Sequence, residues 1–136
     1  MTVLVDTSVW SRAFRRSPKA PTSTVATELA ELVRQGRANI IGPIRQELLS
    51  GVKNASQFEL LRDRLRAFPD VELEVQDFED AADFSNRCRA KGIQGSSIDF
   101  LICAVASRRR LSIFTTDRDF EHFSTVVSIA LHPVKP

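Results

Sequence analysis

Features that define several classes of protein are scarce in this chain of 136 residues. Its two cysteines, Cys88 and Cys103, lie in apolar stretches without a CxxC or Cys/His neighbour, so we expect buried thiols and no zinc site. No apolar run is long enough to span a membrane, and no basic, cleavable leader precedes the first apolar segment. We therefore expect a cytoplasmic protein that does not enter a membrane.

An excess of charge of one sign is also lacking. Lys and Arg number 19 and Asp and Glu number 17, and this balance permits a nucleic-acid partner without requiring one. No repeat or low-complexity segment is present, and the prolines are scattered instead of forming a linker. With 43% hydrophobic and 26% charged residues, the composition predicts one compact domain over residues 1–136.

Short runs rich in β-branched residues alternate with segments of helical periodicity. The runs predict strands at residues 3–5, 39–41, 71–75, 112–114 and 126–129. Apolar stripes at helical spacing predict helices around residues 25–33, 58–68, 78–88 and 98–105. This alternation predicts an α/β fold, a three-layer α/β/α sandwich with a mostly parallel sheet.

Two aspartates follow predicted strands directly. Asp6 comes after the run at residues 3–5, and Asp117 closely follows the run at residues 112–114. Ligands of open parallel sheets bind beyond the carboxyl ends of the strands, so both side chains are expected in one crevice if these strands are neighbours. A purely structural interpretation remains open for both, as turn or capping acids before Thr7-Ser8 and after Thr115-Thr116.

Two further acids lie on predicted helices. Asp99 is in the first turn of a helix that Ser96 or Ser97 can cap, where an acid also interacts favourably with the helix dipole. Glu47, in a segment that begins with Pro43, could equally be a solvated helix residue. Only the combination of the four acids indicates a function.

Convergence of these carboxylates would require neutralisation. Two of them about 4 Å apart repel by about 4 kcal/mol at an effective dielectric constant near 20. Protons or a hard divalent cation can relieve this repulsion, and a site of carboxylates without His or Cys favours Mg²⁺ or Mn²⁺. Such a cation suits phosphodiester hydrolysis, with Asp6, Asp99 and Asp117 as its ligands and Glu47 orienting or deprotonating the attacking water.

Other functions fit parts of the pattern. A phosphotransferase with Asp6 as nucleophile would have a second acid at position 8, where Ser8 stands, and a phosphate-receiver domain would have a lysine after the late strand. Neither requirement is met. A nuclease acting on DNA and a non-catalytic partner-binding domain remain open, although the latter would be expected to have lost at least one acid.

Four segments resemble the PIN domain, and within it most closely the VapC toxins. They are residues 5–10 (VDTSVW), 46–51 (QELLSG), 97–106 (SIDFLICAVA) and 114–120 (FTTDRDF). The segments have the family's order and spacing over nearly the whole chain. The quartet Asp6, Glu47, Asp99 and Asp117 falls on the family's four acidic positions.

The resemblance implies a Mg²⁺- or Mn²⁺-dependent endoribonuclease of a type II toxin–antitoxin pair. It further implies a homodimer, a VapB-like antitoxin that wraps the toxin and blocks its acidic groove, and possible assembly into a larger complex. The resemblance also implies that Thr7, Ser8 and Thr116 supply hydroxyl groups near the metal, and that Asp119 is an additional acid that supports the metal site.

An RNA substrate would need cations around this negative pocket. The candidates are Arg12, Arg15, Arg16, Lys19, Arg108, Arg109, Arg110 and Arg118. The run Arg108–Arg110 is equally typical of a solvated helix end. For Trp10 and Phe14, packing in the core or at a dimer interface is favoured over stacking on bases. His122 and His132 are expected to have surface or packing roles.

Overall fold

A computed structural model describes residues 2–14 and 23–133. The strands are β1 (Val3–Val5), β2 (Ala38–Asn39), β3 (Ser112–Phe114) and β4 (Ala130–Leu131). The helices are α1 (Thr7–Phe14), α2 (Thr24–Arg34), α3 (Gly42–Leu49), α4 (Ala55–Leu65), α5 (Val75–Ala90), α6 (Ser97–Arg109) and α7 (Asp119–Phe123). No helix in the described ranges has the length and hydropathy needed to cross a membrane.

The four strands form one parallel sheet in the order β2-β1-β3-β4. Helices flank this sheet, which confirms the predicted three-layer α/β/α fold. β1 and β3 are the central pair, with Val3 opposite Ser112 and Val5 opposite Phe114. Every residue of β1 is fully buried, as expected for a strand covered on both faces.

The sequence predicted β1 and β3 correctly and misplaced the other strands. β2 lies at Ala38–Asn39, because Ile41 already serves as the residue that precedes α3. The predicted strand at residues 71–75 is wrong: only a single bridge joins Asp70 to Ile40. The Glu74 N–H donates to Asp77 Oδ2 at 2.8 Å, and this contact begins α5 at Val75.

The last predicted strand, at residues 126–129, is also wrong. The N–H groups of Val126 and Val127 donate to the carbonyl of Phe123 at 3.0 and 2.9 Å and extend the turn after α7. Donors that are already used locally are lost to the sheet, so pairing starts later, at Ala130.

α5 and α6 pack side by side and are joined by a buried ion pair. Asp77 is fully buried, and its Oδ2 accepts from Arg108 Nη2 at 2.7 Å while its Oδ1 accepts from Arg108 Nε. The guanidinium holds the pKa of Asp77 below its ordinary value. Arg108 is therefore a structural residue and not part of a solvated helix end.

Cys88 on α5 and Cys103 on α6 are both free thiols and both fully buried, as predicted. Burial raises the pKa of each thiol, most strongly for Cys103. Reactivity of cysteine depends on its thiolate, so both side chains behave as small apolar groups in the core.

Candidate active site

The central strand pair brings the first two acids together. Asp6 is the residue after β1, and its backbone N–H donates to the carbonyl of Phe114, the last residue of β3, at 2.9 Å. The segment from Thr115 to Asp117 leaves β3 at the same edge of the sheet. The adjacency on which the sequence argument depended is therefore present.

The Asp6 carboxylate is held by hydroxyl groups from both sides of this junction. Its Oδ2 accepts from Ser8 Oγ at 2.7 Å and from Thr115 Oγ1 at 2.8 Å. Asp6 is only 5% exposed, and burial raises its pKa although these hydrogen bonds oppose the shift. Positive charge supplied next to Asp6 would therefore favour its ionised form.

Ser8 and Thr115 also connect Asp6 to the segment that carries Asp117. Ser8 Oγ accepts from the backbone N–H of Thr116 at 3.1 Å, and Thr115 Oγ1 accepts from the backbone N–H of Asp117 at 3.0 Å. The family resemblance implied Thr7, Ser8 and Thr116 as the residues with hydroxyl groups near the metal. In the structure the hydroxyl next to Asp6 is that of Thr115, while Thr116 contributes only its backbone at this point.

Asp99 lies in the first turn of α6. Ser96 caps the helix by accepting from the Asp99 N–H at 3.1 Å, and Asp99 Oδ2 accepts from the Ser96 N–H at 3.1 Å. This reciprocal capping is the structural role that the sequence left open for Asp99. Its pKa is nevertheless raised, first by burial and also by the charges of Asp6 and Asp117. The three aspartates therefore share one electrostatic environment.

Asp117 likewise has a local structural contact. Its Oδ1 accepts from the backbone N–H of Asp119 at 2.9 Å, in the turn that leads into α7. The Asp119 side chain is exposed. Local hydrogen bonds thus orient the carboxylates of Asp6, Asp99 and Asp117, and each is positioned by backbone that follows a strand or begins a helix.

Glu47 occupies the neighbouring edge of this region. It lies on α3 and lines a cavity of about 650 Å³ together with Ser97 and Ile98 from the start of α6. The charges that raise the pKa of Asp99 are those of Asp6 and Asp117, and Glu47 is not one of them. The structure therefore brings three of the predicted acids within electrostatic reach of one another, and the fourth lines a cavity with the first residues of α6.

The donor chemistry of this group fits a hard cation. Within residues 2–14 and 23–133, no three acidic, histidine or cysteine side chains stand close enough to coordinate one metal ion. Mg²⁺, however, commonly binds through one or two carboxylates and keeps several waters. Directly after Asp6, Thr7 Oγ1 is buried without a hydrogen-bond partner in the described part of the chain, so it has capacity to bind such a water.

The candidate cationic residues fall into three groups. Arg12 on α1 and Arg118 beside Asp117 are exposed. Arg15, Arg16 and Lys19 lie outside the described residues. Arg108 to Arg110 end α6, whereas Asp99 begins it, and nine residues of helix separate Asp99 from Arg108 by about 14 Å. The arginine run is therefore remote from the acids.

The remaining aromatic and histidine predictions have clear outcomes. Trp10 is fully buried and donates from Nε1 to the Val5 carbonyl at 3.0 Å, and Phe14 stacks on it at 5.8 Å, which confirms the packing role. His122 is exposed. His132 packs against the Phe114 ring and lies 2.7 Å from Glu28 Oε1, so it has a carboxylate neighbour that the sequence did not indicate.

Comparison with solved structures shows that the fold is well represented. The chain aligns with the FitAcB structure from Neisseria gonorrhoeae at 20% identity and a TM-score of 0.76, covering 97% of each chain. It aligns with VapBC2 from Rickettsia felis bound to a promoter DNA fragment at 17% identity and a TM-score of 0.78, covering 97% of this chain and 98% of that chain. A toxin–antitoxin complex from Klebsiella pneumoniae aligns at 21% identity and a TM-score of 0.66, covering 96% and 100% of the two chains.

The sequence itself matches the PIN domain family over residues 3–125, which include all four acids discussed above. The match extends from β1 to the turn that follows α7 and thus spans the sheet edge at which Asp6, Asp99 and Asp117 meet. From this match and the parallel α/β fold, we conclude that the chain belongs to the PIN domain family.

Proposed function

We propose that this protein is a Mg²⁺- or Mn²⁺-dependent endoribonuclease and the toxin of a type II toxin–antitoxin pair that acts in the cytoplasm. PIN domains are in general nucleases, so phosphodiester hydrolysis is the reaction class that family membership supports. RNA as the substrate, the metal requirement and the toxin role belong to the proposal. We further propose that the whole chain forms one domain.

The observation that carries the proposal is the electrostatic coupling of three aspartates from separate segments. Asp6 follows β1, Asp117 follows β3 and Asp99 begins α6, and the charges of the first two raise the pKa of the third. Burial raises the pKa of Asp6 as well. Acids such as Asp6 and Asp99, whose pKa values are raised in a shared crevice, are typical of a functional site that binds a cation.

In the proposed site, Asp6 and Asp99 anchor the cation, Asp117 contacts it directly or through one of its waters, and Glu47 orients or deprotonates the attacking water. A divalent cation supplies activation of water and neutralisation of the charge that develops on the phosphate. Ser8 and Thr115 keep the Asp6 carboxylate in a fixed orientation through their hydrogen bonds to Oδ2. The exposed Arg12 and Arg118 are placed to contact RNA phosphates.

The proposed partners are a VapB-like antitoxin and a second copy of this chain, with assembly of both into a larger complex. Structures described as VapBC and as a toxin–antitoxin complex share this fold over nearly their whole length, which supports an antitoxin as the partner. Expression with and without the neighbouring small open reading frame, followed by size-exclusion chromatography with light scattering, measures both associations. A chain that stays monomeric and binds no such product contradicts this part of the proposal.

The activity is tested with purified protein and synthetic single-stranded RNA in the presence of Mg²⁺. Asp6→Asn and Asp99→Asn are expected to lower the cleavage rate at least about 100-fold, because each removes a proposed ligand. Asp63→Asn is the matched control, since Asp63 is exposed on α4. Circular dichroism checks that all three variants remain folded.

Single-stranded DNA of the same sequence is the parallel substrate. Faster cleavage of DNA than of RNA would contradict the proposed RNA substrate and identify a nuclease that acts on DNA. Equal cleavage of RNA by Asp6→Asn, Asp99→Asn and the parent protein would reject the proposed site. Cleavage that persists undiminished in a chelator would reject the metal requirement.

A further inference from the structure

A second, smaller cavity lies next to the three aspartates. It has a volume of about 300 Å³ and is lined by residues between the end of β3 and the end of β4. Thr115 and Asp117 form part of its wall, and Thr115 donates to Asp6 Oδ2 on the other side. The cavity therefore shares a wall with the candidate active site.

The size and lining of this cavity suit one planar, partly polar group. Its volume is at the lower end of the range of about 300–1,000 Å³ typical of small-molecule sites. Ile113, Leu131 and Pro133 supply apolar walls, and the His132 ring lies among them. His132 is fixed by its contacts with Phe114 and Glu28, so this wall is rigid.

Three polar side chains on one side of the cavity have unused hydrogen-bonding capacity. Thr116 uses its backbone N–H to bind Ser8, but its hydroxyl has no partner in residues 2–14 and 23–133. In those same ranges, the guanidinium of Arg118 and the carboxylate of Glu121 also have no partner, and both side chains are exposed. The cavity thus offers a hydroxyl, a cation and a charged acceptor.

We propose that this cavity is a nucleoside subsite that binds the base next to the scissile phosphate and selects bases with an exocyclic amino group. This inference rests on the proposed nuclease function and adds a specificity determinant to it. Glu121 accepts from the amino group of cytosine, adenine or guanine, as carboxylates accept from cytosine N4 in base recognition. Uracil has no exocyclic amino group, and its one base-edge donor, the ring N3–H, stands between two carbonyl oxygens that repel a carboxylate.

Thr116 and Arg118 complete the subsite. The Thr116 hydroxyl donates to or accepts from the edge of the base, and Arg118 contacts the phosphate of the same nucleotide. The position of Arg118 directly after Asp117 keeps that phosphate close to the proposed metal ligands. The subsite therefore positions the RNA as well as selecting it.

Titration of isotope-labelled protein with the four neutral ribonucleosides tests the proposal by NMR. Cytidine, adenosine and guanosine are expected to shift the amide signals of the cavity residues and to bind about fivefold more tightly than uridine. Glu121→Ala should abolish this discrimination, and Thr116→Val should lower the affinity for all four nucleosides. Glu59→Ala, a change at an exposed glutamate of α4, is the control and should retain the preference.

Cytidine 5′-monophosphate tests the role of Arg118. It should bind the parent protein more tightly than cytidine does. Arg118→Gln should bind the two ligands equally well. Arg66→Gln, a change at an exposed arginine after α4, is the control and should behave as the parent does. Equal affinity for uridine and cytidine, amide shifts confined to other regions, or no binding would overturn the subsite.

These titrations involve no cleavage and so separate the two proposals. Loss of the nuclease function would appear as an inactive parent protein and would leave a positive nucleoside result standing. An active nuclease whose nucleoside titrations show no discrimination would refute only the subsite. In an active nuclease, the mapped ends of cleaved RNA should also show uridine least often at one position beside the cut, and Glu121→Ala should remove that bias.

Discussion

Replacement of Asp99 by asparagine is expected to stabilise the metal-free protein while it inactivates the site. Asp99 is half-buried, and its pKa is raised by burial and by the charges of Asp6 and Asp117. The asparagine carbonyl can still accept from the Ser96 N–H, as Oδ2 does in the parent. The variant therefore keeps the helix cap and loses only the charge that the surrounding acids disfavour.

The size of the effect follows from three opposing contributions. Burial of the ionised carboxylate is the larger destabilising contribution, and repulsion by Asp6 and Asp117 adds to it; two carboxylates even as close as about 6 Å repel by only about 3 kcal/mol at an effective dielectric constant near 20. Solvent at the open side of the site screens part of this repulsion. The uncharged side chain also gives up a favourable helix-dipole interaction of about 0.3–1 kcal/mol. We expect a net gain of about 1 kcal/mol in the free energy of unfolding at neutral pH.

The pH dependence gives the sign of the effect. A raised pKa means that folded Asp99 binds its proton more tightly than unfolded Asp99. The stability of the parent protein therefore falls as pH rises from the ordinary value of 3.8 through the folded-state pKa. Below that range Asp99 is protonated in both states, and the advantage of Asp99→Asn should disappear.

Urea unfolding in the presence of a chelator measures this difference at pH 7 and near pH 3. In thermal unfolding at pH 7, Asp99→Asn should raise the melting temperature by about 3 °C. Asp63→Asn, which changes an exposed aspartate, should leave the melting temperature unchanged. Mg²⁺ should then stabilise the parent more than Asp99→Asn, because binding to the folded state adds stability. A variant that is no more stable than the parent at pH 7, or equally favoured at both pH values, would refute the reasoning.

Two further predictions concern the contacts that support the site. Asp77→Asn should lower the free energy of unfolding by about 2 kcal/mol, because it removes the fully buried carboxylate that accepts two charged hydrogen bonds from the half-buried Arg108 and leaves only Glu74, at 3.6 Å, as its acidic partner; a loss below about 1 kcal/mol in urea unfolding contradicts this. Ser8→Ala should lower the RNA cleavage rate about tenfold, because the hydroxyl that holds Asp6 Oδ2 is removed, while Ser11→Ala on the same helix should cleave at the parent's rate.

The strands that the sequence predicted correctly are those whose pairing does not compete with local structure. All of β1 and the last two residues of β3 are apolar and buried in the centre of the sheet, and their hydrophobic pattern is sufficient to identify them. Residues 71–75 and 126–129 also contain apolar, β-branched residues, but neither segment forms a strand. Their neighbourhoods offer local hydrogen bonds, from Asp77 in the first case and from Phe123 in the second. The composition of a segment does not show whether its backbone N–H groups will form local hydrogen bonds or pair in the sheet.

The candidate site shows the same division. The positions of Asp6 and Asp117 after strands, and of Asp99 after a capping serine, could be inferred from the sequence because they depend on local patterns. The role of Thr115 could not, because two adjacent threonines follow β3 and only the direction of the chain there decides which one reaches Asp6. The ion pair of Arg108 with Asp77 and the contact of His132 with Glu28 were missed because the partners are distant along the sequence, although the packing role expected for His132 is confirmed.

The sequence by itself determined the alternation of strands and helices, the two central strands and the local positions of the four acids. These follow from hydrophobic periodicity and capping, which act over a few residues. Only the tertiary structure decided which acids share one electrostatic environment, which hydroxyl holds Asp6, and that a cavity with free polar groups lies beside Asp117. Such features depend on distances between segments about 100 residues apart, such as Asp6 and Thr115, and those distances are fixed by the pairing of β1 with β3.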